Sequence, residues 1–411
     1  MTFKLRTQQS ESPGQFRVRT ILVLGLFLLV ALISSCNNQG EELDDRLLFW
    51  HSLGERDAAV LDQMLDRYED LHPGVTIVRE QVPAEEIVDQ YERRVNEGLG
   101  PDMLLISDYR LAPLLAQGMV RDLSAHELDM SDFDPMTLGQ AQYMDQLVGL
   151  PFSTFTQVLC YNRQQVAEPP ATLDELVAEA EAGHRIGQQA NFSELAWTMP
   201  ALGGSFFDDS SRVEIDEDEL ARWLEWLVQA NEQPNIIINV DAGQLEEAFM
   251  AGELDYLVCP SERIPVLQEA LGQDNLGLSL LPAQPGNAAS AYFTTELIVF
   301  SPAADPGSVA QGVNLANFLT NPAQQTTLAL ETQSQIPVNL NVDIDSRLAP
   351  LEATLLAQPK VAAPLDFLEL ELLSLEVAEP FIERILAGEI EPVQAASELT
   401  RRVNDLWRNE E

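Results

Sequence analysis

The stretch Leu47–Ile106 decides the fold. It reads LLFW (47–50), DAAVLDQMLDRYEDL (57–71), VTIV (75–78), AEEIVDQYERRVNE (84–97) and MLLI (103–106). The first, third and fifth pieces are short apolar runs of strand length. The second puts Val60, Leu61, Met64, Leu65, Tyr68 and Leu71 on one helical stripe, and the fourth does so with Ile87, Val88, Tyr91 and Val95. His72-Pro73-Gly74 stops the first helix, and Gly98 follows the second. Strands alternating with amphipathic helices predict an α/β architecture, with a parallel sheet covered by helices.

A second unit of the same kind is expected after Pro151. Gln157–Tyr161 reads as a strand. Thr172-Leu-Asp-Glu175 is a capping box that opens a helix to about Ala182. Asp216–Ala230 and Asp241–Ala251 read as helices, Leu254–Val258, Leu276–Leu281 and Glu296–Phe300 as strands. Helical patterns dominate from Pro306 to the end. At 411 residues the chain exceeds a single small core.

Working outward to the N-terminus, Lys4, Arg6, Arg17 and Arg19 precede an uncharged run, Ile21–Ile33. As a helix this run rises only about 20 Å, short of a hydrocarbon core about 30 Å thick. Residues 1–35 therefore read as an export signal. Ile33-Ser34-Ser35-Cys36 resembles the lipobox of bacterial lipoproteins, so Cys36 is the expected lipidation site. Residues 36–44 read as a polar tether, and the protein is expected on the outer face of the cell membrane, held by its N-terminal lipid.

The charge is strongly acidic, with 66 Asp+Glu against 23 Lys+Arg and a net charge of −43. Such a surface repels nucleic-acid backbone and anionic membranes. Lys4 and Lys360 are the only lysines. Cys160 and Cys259 sit in strand-like apolar stretches. They read most simply as two separate buried thiols, although export would allow them to pair.

Catalytic signals are scarce. The four histidines, His51, His72, His126 and His184, are scattered, and no zinc-ligand, P-loop, nucleophile-elbow or dinucleotide motif occurs. No metal and no cofactor is expected. Carboxylate pairs abound in so acidic a chain, so a secreted glycoside-processing enzyme stays open as an alternative.

Taken in order, LLFWHSLGERD (47–57), LDRYEDLHPGVTI (65–77), GPDMLLISDYRLAPLLAQGMVRDL (100–123), VGLPFSTFTQVLCYNRQ (148–164), FMAGELDYLV (249–258), NLANFLTNPAQQ (314–325) and ILAGEIEPVQAASEL (385–399) resemble the bacterial extracellular solute-binding proteins of ABC importers, the group of maltose- and glycerol-phosphate-binding proteins. The resemblance implies a type II periplasmic-binding-protein-like fold. Two α/β lobes, each a largely parallel sheet covered by helices, would flank a hinged central cleft. By order of segments, lobe one is expected at 43–154 plus 282–336, and lobe two at 155–281 plus 337–411. The implied role is a monomeric receptor, without enzymatic activity, that hands a sugar or polyol to membrane permease subunits. A sensor or scaffold lipoprotein of the same fold is a further alternative.

Ligands of open parallel sheets sit beyond the carboxyl ends of the strands. That places His51, Ser52 and Gly54 after the first strand and Ser107, Asp108, Tyr109 and Arg110 after the third. The resemblance adds Phe152, Ser153 and Phe155 at the crossing between lobes, Trp197 as an aromatic platform, and Tyr292 and Glu296 after the 282–286 turn. Where sugar binders of the family commonly carry a Trp, this chain has Pro260-Ser261-Glu262, which makes Glu262 a candidate contact. The late segment LELELLSLEVAEPF (368–381) also lacks an early aromatic, Phe367 being the nearest before it. Fewer stacking faces point to a short saccharide, a polyol or a glycosylated osmolyte.

Overall fold

The structure is a computed structural model that describes residues 46–407, apart from 127, 129, 145, 208–212, 362–364, 367–372 and 374–376. The expected signal, tether and lipidation site Cys36 lie outside the described residues, as does Phe367.

Strands β1 (Arg46–His51), β2 (Thr76–Gln81) and β3 (Met103–Ser107) are parallel, in the order β2-β1-β3. Helices α1 (Glu55–Leu71) and α2 (Ile87–Asn96) connect them. The α1 stripe is buried from Val60 to Tyr68, while Leu71, at the helix end, stays 62% exposed. A two-residue hairpin, β4 (Gln142–Tyr143) with β5 (Gln146–Leu147), precedes β6 (Leu150–Asn162).

Beyond β6 come α3 (Leu173–Glu181), β7 (Ile186–Gln189), α4 (Glu217–Asn231), β8 (Ile236–Asn239), α5 (Ala242–Met250), β9 (Tyr256–Pro260), α6 (Ile264–Leu271) and β10 (Leu276–Ser279). β7 runs parallel to both β8 and β9, a second three-stranded parallel wing. The Thr172 capping box forms as read, Thr172 and Glu175 satisfying each other's backbone amides. Asp216 and Asp241 cap α4 and α5 by accepting from the Glu219 and Gln244 amides.

The chain then returns through β11 (Tyr292–Phe300), α7 (Pro306–Leu319) and α8 (Pro322–Thr332). It ends with β12 (Ile336–Pro337), α9 (Pro350–Val361), β13 (Leu365–Asp366), α10 (Glu379–Leu386) and α11 (Pro392–Trp407). The centre of the sheet is antiparallel, since β11 runs against β3 and β6, and β6 against β9. The lobes are thus parallel wings joined by an antiparallel middle.

β6 begins well before the expected strand at Gln157. Residues 150–156 pair with β11, and residues 157–161 pair with β9. Pro151, read as a boundary, lies inside the strand. Proline is tolerated there because the ladder is irregular opposite it, with a register shift between Glu296 and Leu297.

Two groups of core clusters correspond to the two lobes. Leu47, Phe49, Leu61 and Leu65 pack with Ile298, Phe300, Leu315 and Leu328. Leu159, Leu173, Ile186, Tyr256 and Val258 pack with Leu281, Ala289 and Ala291. Each large apolar side chain so buried contributes about 1.5–3 kcal/mol. Residues 282–291, expected in lobe one, therefore pack with lobe two. The amides of Ala283 and Gln284 donate to Ala171 and Ala201, which fixes the turn there. Residues 338–340, expected in lobe two, bond back to Asp132 and Asp134 of lobe one.

Cys160 and Cys259 form a disulfide, correcting the simpler reading of separate thiols. Val158 stands opposite Cys259 and Cys160 opposite Leu257, so neighbouring antiparallel strands carry the sulfurs on one buried face, with Cα atoms 6.0 Å apart.

Candidate ligand-binding cleft

The strand ends converge on a cleft of about 540 Å³. After β1, residues 52–57 run into the first turn of α1, which no side chain caps. β3 ends at Ser107 and turns through one 3-10 turn, Asp108–Arg110. Across the gap, β9 ends at Pro260 and turns through Ser261–Arg263 into α6. β11 supplies the floor. Its residues Tyr292, Thr294 and Glu296 line the cleft at every second position, as one face of a strand must. Phe155 of β6 and Ser334 near β12 complete it.

Carboxylates dominate its electrostatics. Glu296 is 5% exposed. Ser107 Oγ donates to its Oε1, while Oε2 is buried with no hydrogen-bond partner among the described residues. Burial, with a smaller push from Asp57, raises its carboxyl to about 7. Glu262 is open to cleft water yet walled in by both lobes. That confinement first, then Glu194, Glu296 and Asp57, raises it to about 7 as well. Burial also raises Asp57, against the hydrogen bonds it accepts from Gln335 Nε2 (2.8 Å) and Ser334 Oγ (3.4 Å).

The cations of the cleft are largely committed. Arg263 grips Glu246 through Nε and a terminal nitrogen, at 2.6–3.0 Å. Arg110 donates to the Ala84 carbonyl and to Tyr109 Oη (3.1 Å), its guanidinium 5.2 Å from the Tyr109 ring centre. Tyr292 donates to Glu194 Oε1 (3.3 Å), and Gln157 Nε2 holds the other oxygen of Glu194 at 2.5 Å.

Of the residues expected from the sequence, Ser52, Ser107, Tyr109, Arg110, Phe155, Glu262, Tyr292 and Glu296 all line the cleft. His51 does not. It is 3% exposed, its Nδ1 lacks a partner among the described residues, and burial lowers its pKa. Asp108 turns inward, accepting from the Thr295 amide (3.3 Å). Phe152 and Ser153 are fully buried in β6, Phe152 within the lobe-one core. Trp197 is core rather than platform. It is 1% exposed, packs with Leu159 and Tyr256, and donates to Gln188 Oε1 (3.2 Å).

The cleft also holds residues not expected from the sequence: Glu55 and Arg56, just ahead of the helix read from Asp57, Asp57 itself, and Arg263 and Val266 beside Glu262. Their signal was present. A helix that starts at a strand's carboxyl end puts its first turn at the binding edge. Glu194 carried no signal, because its partner Tyr292 is distant in the chain.

The chain resembles known proteins along most of its length. Maltotriose-binding protein of Pyrococcus abyssi is 23% identical over 223 residues, 52% of this chain and 49% of that protein, so the match spans about half of that relative. The putative ABC transporter periplasmic-binding protein YcjN of Escherichia coli is 22% identical over 314 residues, 67% of this chain and 69% of that one. Among solved structures, the cyclic alpha-maltosyl-1,6-maltose binding protein from Arthrobacter globiformis aligns with a TM-score of 0.75 at 19% identity, covering 89% of this chain and 99% of that one. Such a likeness gives the fold, a two-lobed type II binding protein. A family model matches residues 63–352, and the chain belongs to the bacterial extracellular solute-binding proteins.

Proposed function

We propose that this protein is the substrate-binding component of an ABC importer for a short saccharide or polyol, and that it performs no covalent chemistry. The observation that carries this reading is the cleft. It is lined from both lobes, at the carboxyl ends of β1, β3 and β9, and its volume is that of a small-molecule site. Carboxylates, tyrosyl rings and a guanidinium are the groups that hold hydroxyls and sugar faces. The lobes close on the guest, and the loaded form is delivered to permease subunits.

The family is an extracellular one, so this is an exported chain. In our reading it is monomeric and anchored through a lipid on Cys36. Replacing Cys36 by Ala then releases the protein from membranes, as fractionation would show.

The receptor role is tested by a thermal-shift screen across sugars and polyols, followed by mass spectrometry of the recovered ligand. At least one saccharide raises the melting temperature and comes back unaltered. No hit, or a converted product, rejects the role.

A further inference from the structure

The charge of the cleft is out of balance, and its imbalance narrows the guest. Four carboxylates line it, those of Glu55, Asp57, Glu262 and Glu296, and Glu194 stands behind Tyr292. Three arginines line it too, but Arg263 is already neutralised by Glu246, which leaves Arg56, acting on Asp57, and Arg110, acting on Glu296, against the four carboxylates. Arg110 rests on the Tyr109 ring and the Ala84 carbonyl. Glu296 is the decisive group. A carboxylate 5% exposed, with one oxygen lacking a partner among the described residues, is costly to keep charged, and Arg110, the cation that acts on it, offsets its burial only in part.

A hydroxyl donates one hydrogen bond to such a group but brings no charge. An ammonium brings both. A bare metal ion is the other source of charge. Among the described residues, however, no three His, Cys, Asp or Glu are grouped so as to hold one. The charge must therefore arrive on a larger frame that can reach both lobes. Tyr109, Phe155 and Tyr292 line the cleft, and aromatic rings suit both the carbon skeleton of such a frame and a cation.

Resting on the saccharide-receptor reading above, we infer that the guest carries a protonated amine, held between Glu262 of lobe two and the Glu296–Asp57 side of lobe one. The raised carboxyls of Glu262 and Glu296 agree with this. Confinement first, and neighbouring carboxylates after it, hold both only partly ionised near pH 7, and an ammonium would complete their ionisation.

The test is titration calorimetry with ligands that differ only at one carbon. Glucosamine is set against glucose and N-acetylglucosamine, galactosamine against galactose and N-acetylgalactosamine, and the disaccharide of β-1,4-linked glucosamine against cellobiose and its N-acetylated form. The amine of at least one set binds at least about tenfold tighter than both neutral forms. Glu262→Gln, a change at an exposed position that leaves the core alone, reduces that ratio, and Glu296→Gln reduces it again. Neutral forms binding as well as their amines would overturn the inference and leave the receptor reading standing. Binding by none of these ligands would overturn the amine too. If the wider thermal-shift screen of neutral sugars and polyols also failed, the receptor reading would fall with it.

Discussion

Two segments face each other across the cleft and share one backbone plan. In lobe one, β3 ends in Ser107, a 3-10 turn holds Asp108-Tyr109-Arg110, and a short helix with Pro113 in its first turn follows. In lobe two, β9 leads into Ser261-Glu262-Arg263, and α6 follows with Pro265 in its first turn. The side chains are allotted oppositely. Asp108 is turned into lobe one and bonded to Thr295, whereas Glu262 looks into the cleft. Arg110 stays at the cleft wall, whereas Arg263 is drawn aside by Glu246. The same turn thus presents an aromatic ring and a guanidinium on one side and a carboxylate on the other.

The largest expected contrast between the lobes is covalent. Lobe two is stapled by Cys160–Cys259, 99 residues apart, and lobe one contains no cysteine. Replacing both cysteines by Ser lowers stability by about 3–5 kcal/mol through the freed loop entropy of the unfolded chain. Urea denaturation followed at Trp223 should then show lobe two unfolding first. An unchanged midpoint would break the contrast.

Next in size is the two-sidedness of binding. Tyr109→Ala should cost the best ligand about 0.5–2 kcal/mol of ring contact, and Glu262→Gln should weaken it by about tenfold or more, about 1.5–3 kcal/mol for a charged hydrogen bond. Calorimetry decides it. If only one substitution matters, the guest sits on one lobe.

A smaller effect concerns pH. The Glu296 carboxyl is raised from 4.5 to about 7 in the folded protein. The folded state therefore holds this proton more tightly than the unfolded chain. Its stabilising share is full below about pH 4.5 and is lost as pH rises through about 7. Glu296→Gln removes that loss, so the melting temperature of the unliganded variant relative to wild type should climb between those two pH values. A flat difference would mean that the carboxyl is not strained. Smallest is Thr172→Ala, which breaks the α3 capping box of lobe two at about 1 kcal/mol. Lobe one's α1, without a side-chain cap, offers no equivalent loss.

The wings of the fold were legible in the sequence because the helices between the strands show their buried stripes plainly. The middle was not. Pro151 signals a boundary locally, and only the partners on both sides make 150–162 one strand. The site was legible where it follows a strand end, as at Tyr109 and Arg110. It failed where burial decides. Trp197 and Phe152 look like any exposed aromatic until the packing around them is known. The disulfide needed the adjacency of β6 and β9, which spacing alone does not supply.

β6 carries a mechanical consequence. One unbroken strand ties the two wings of the sheet together, its halves meeting at Thr156 and Gln157. A strand twists readily but resists stretching along its own length. Relative travel of the two halves of the molecule is therefore torsion about that midpoint, not sliding. Gln157, by gripping Glu194 and through it Tyr292, links this torsion bar to the floor of the cleft.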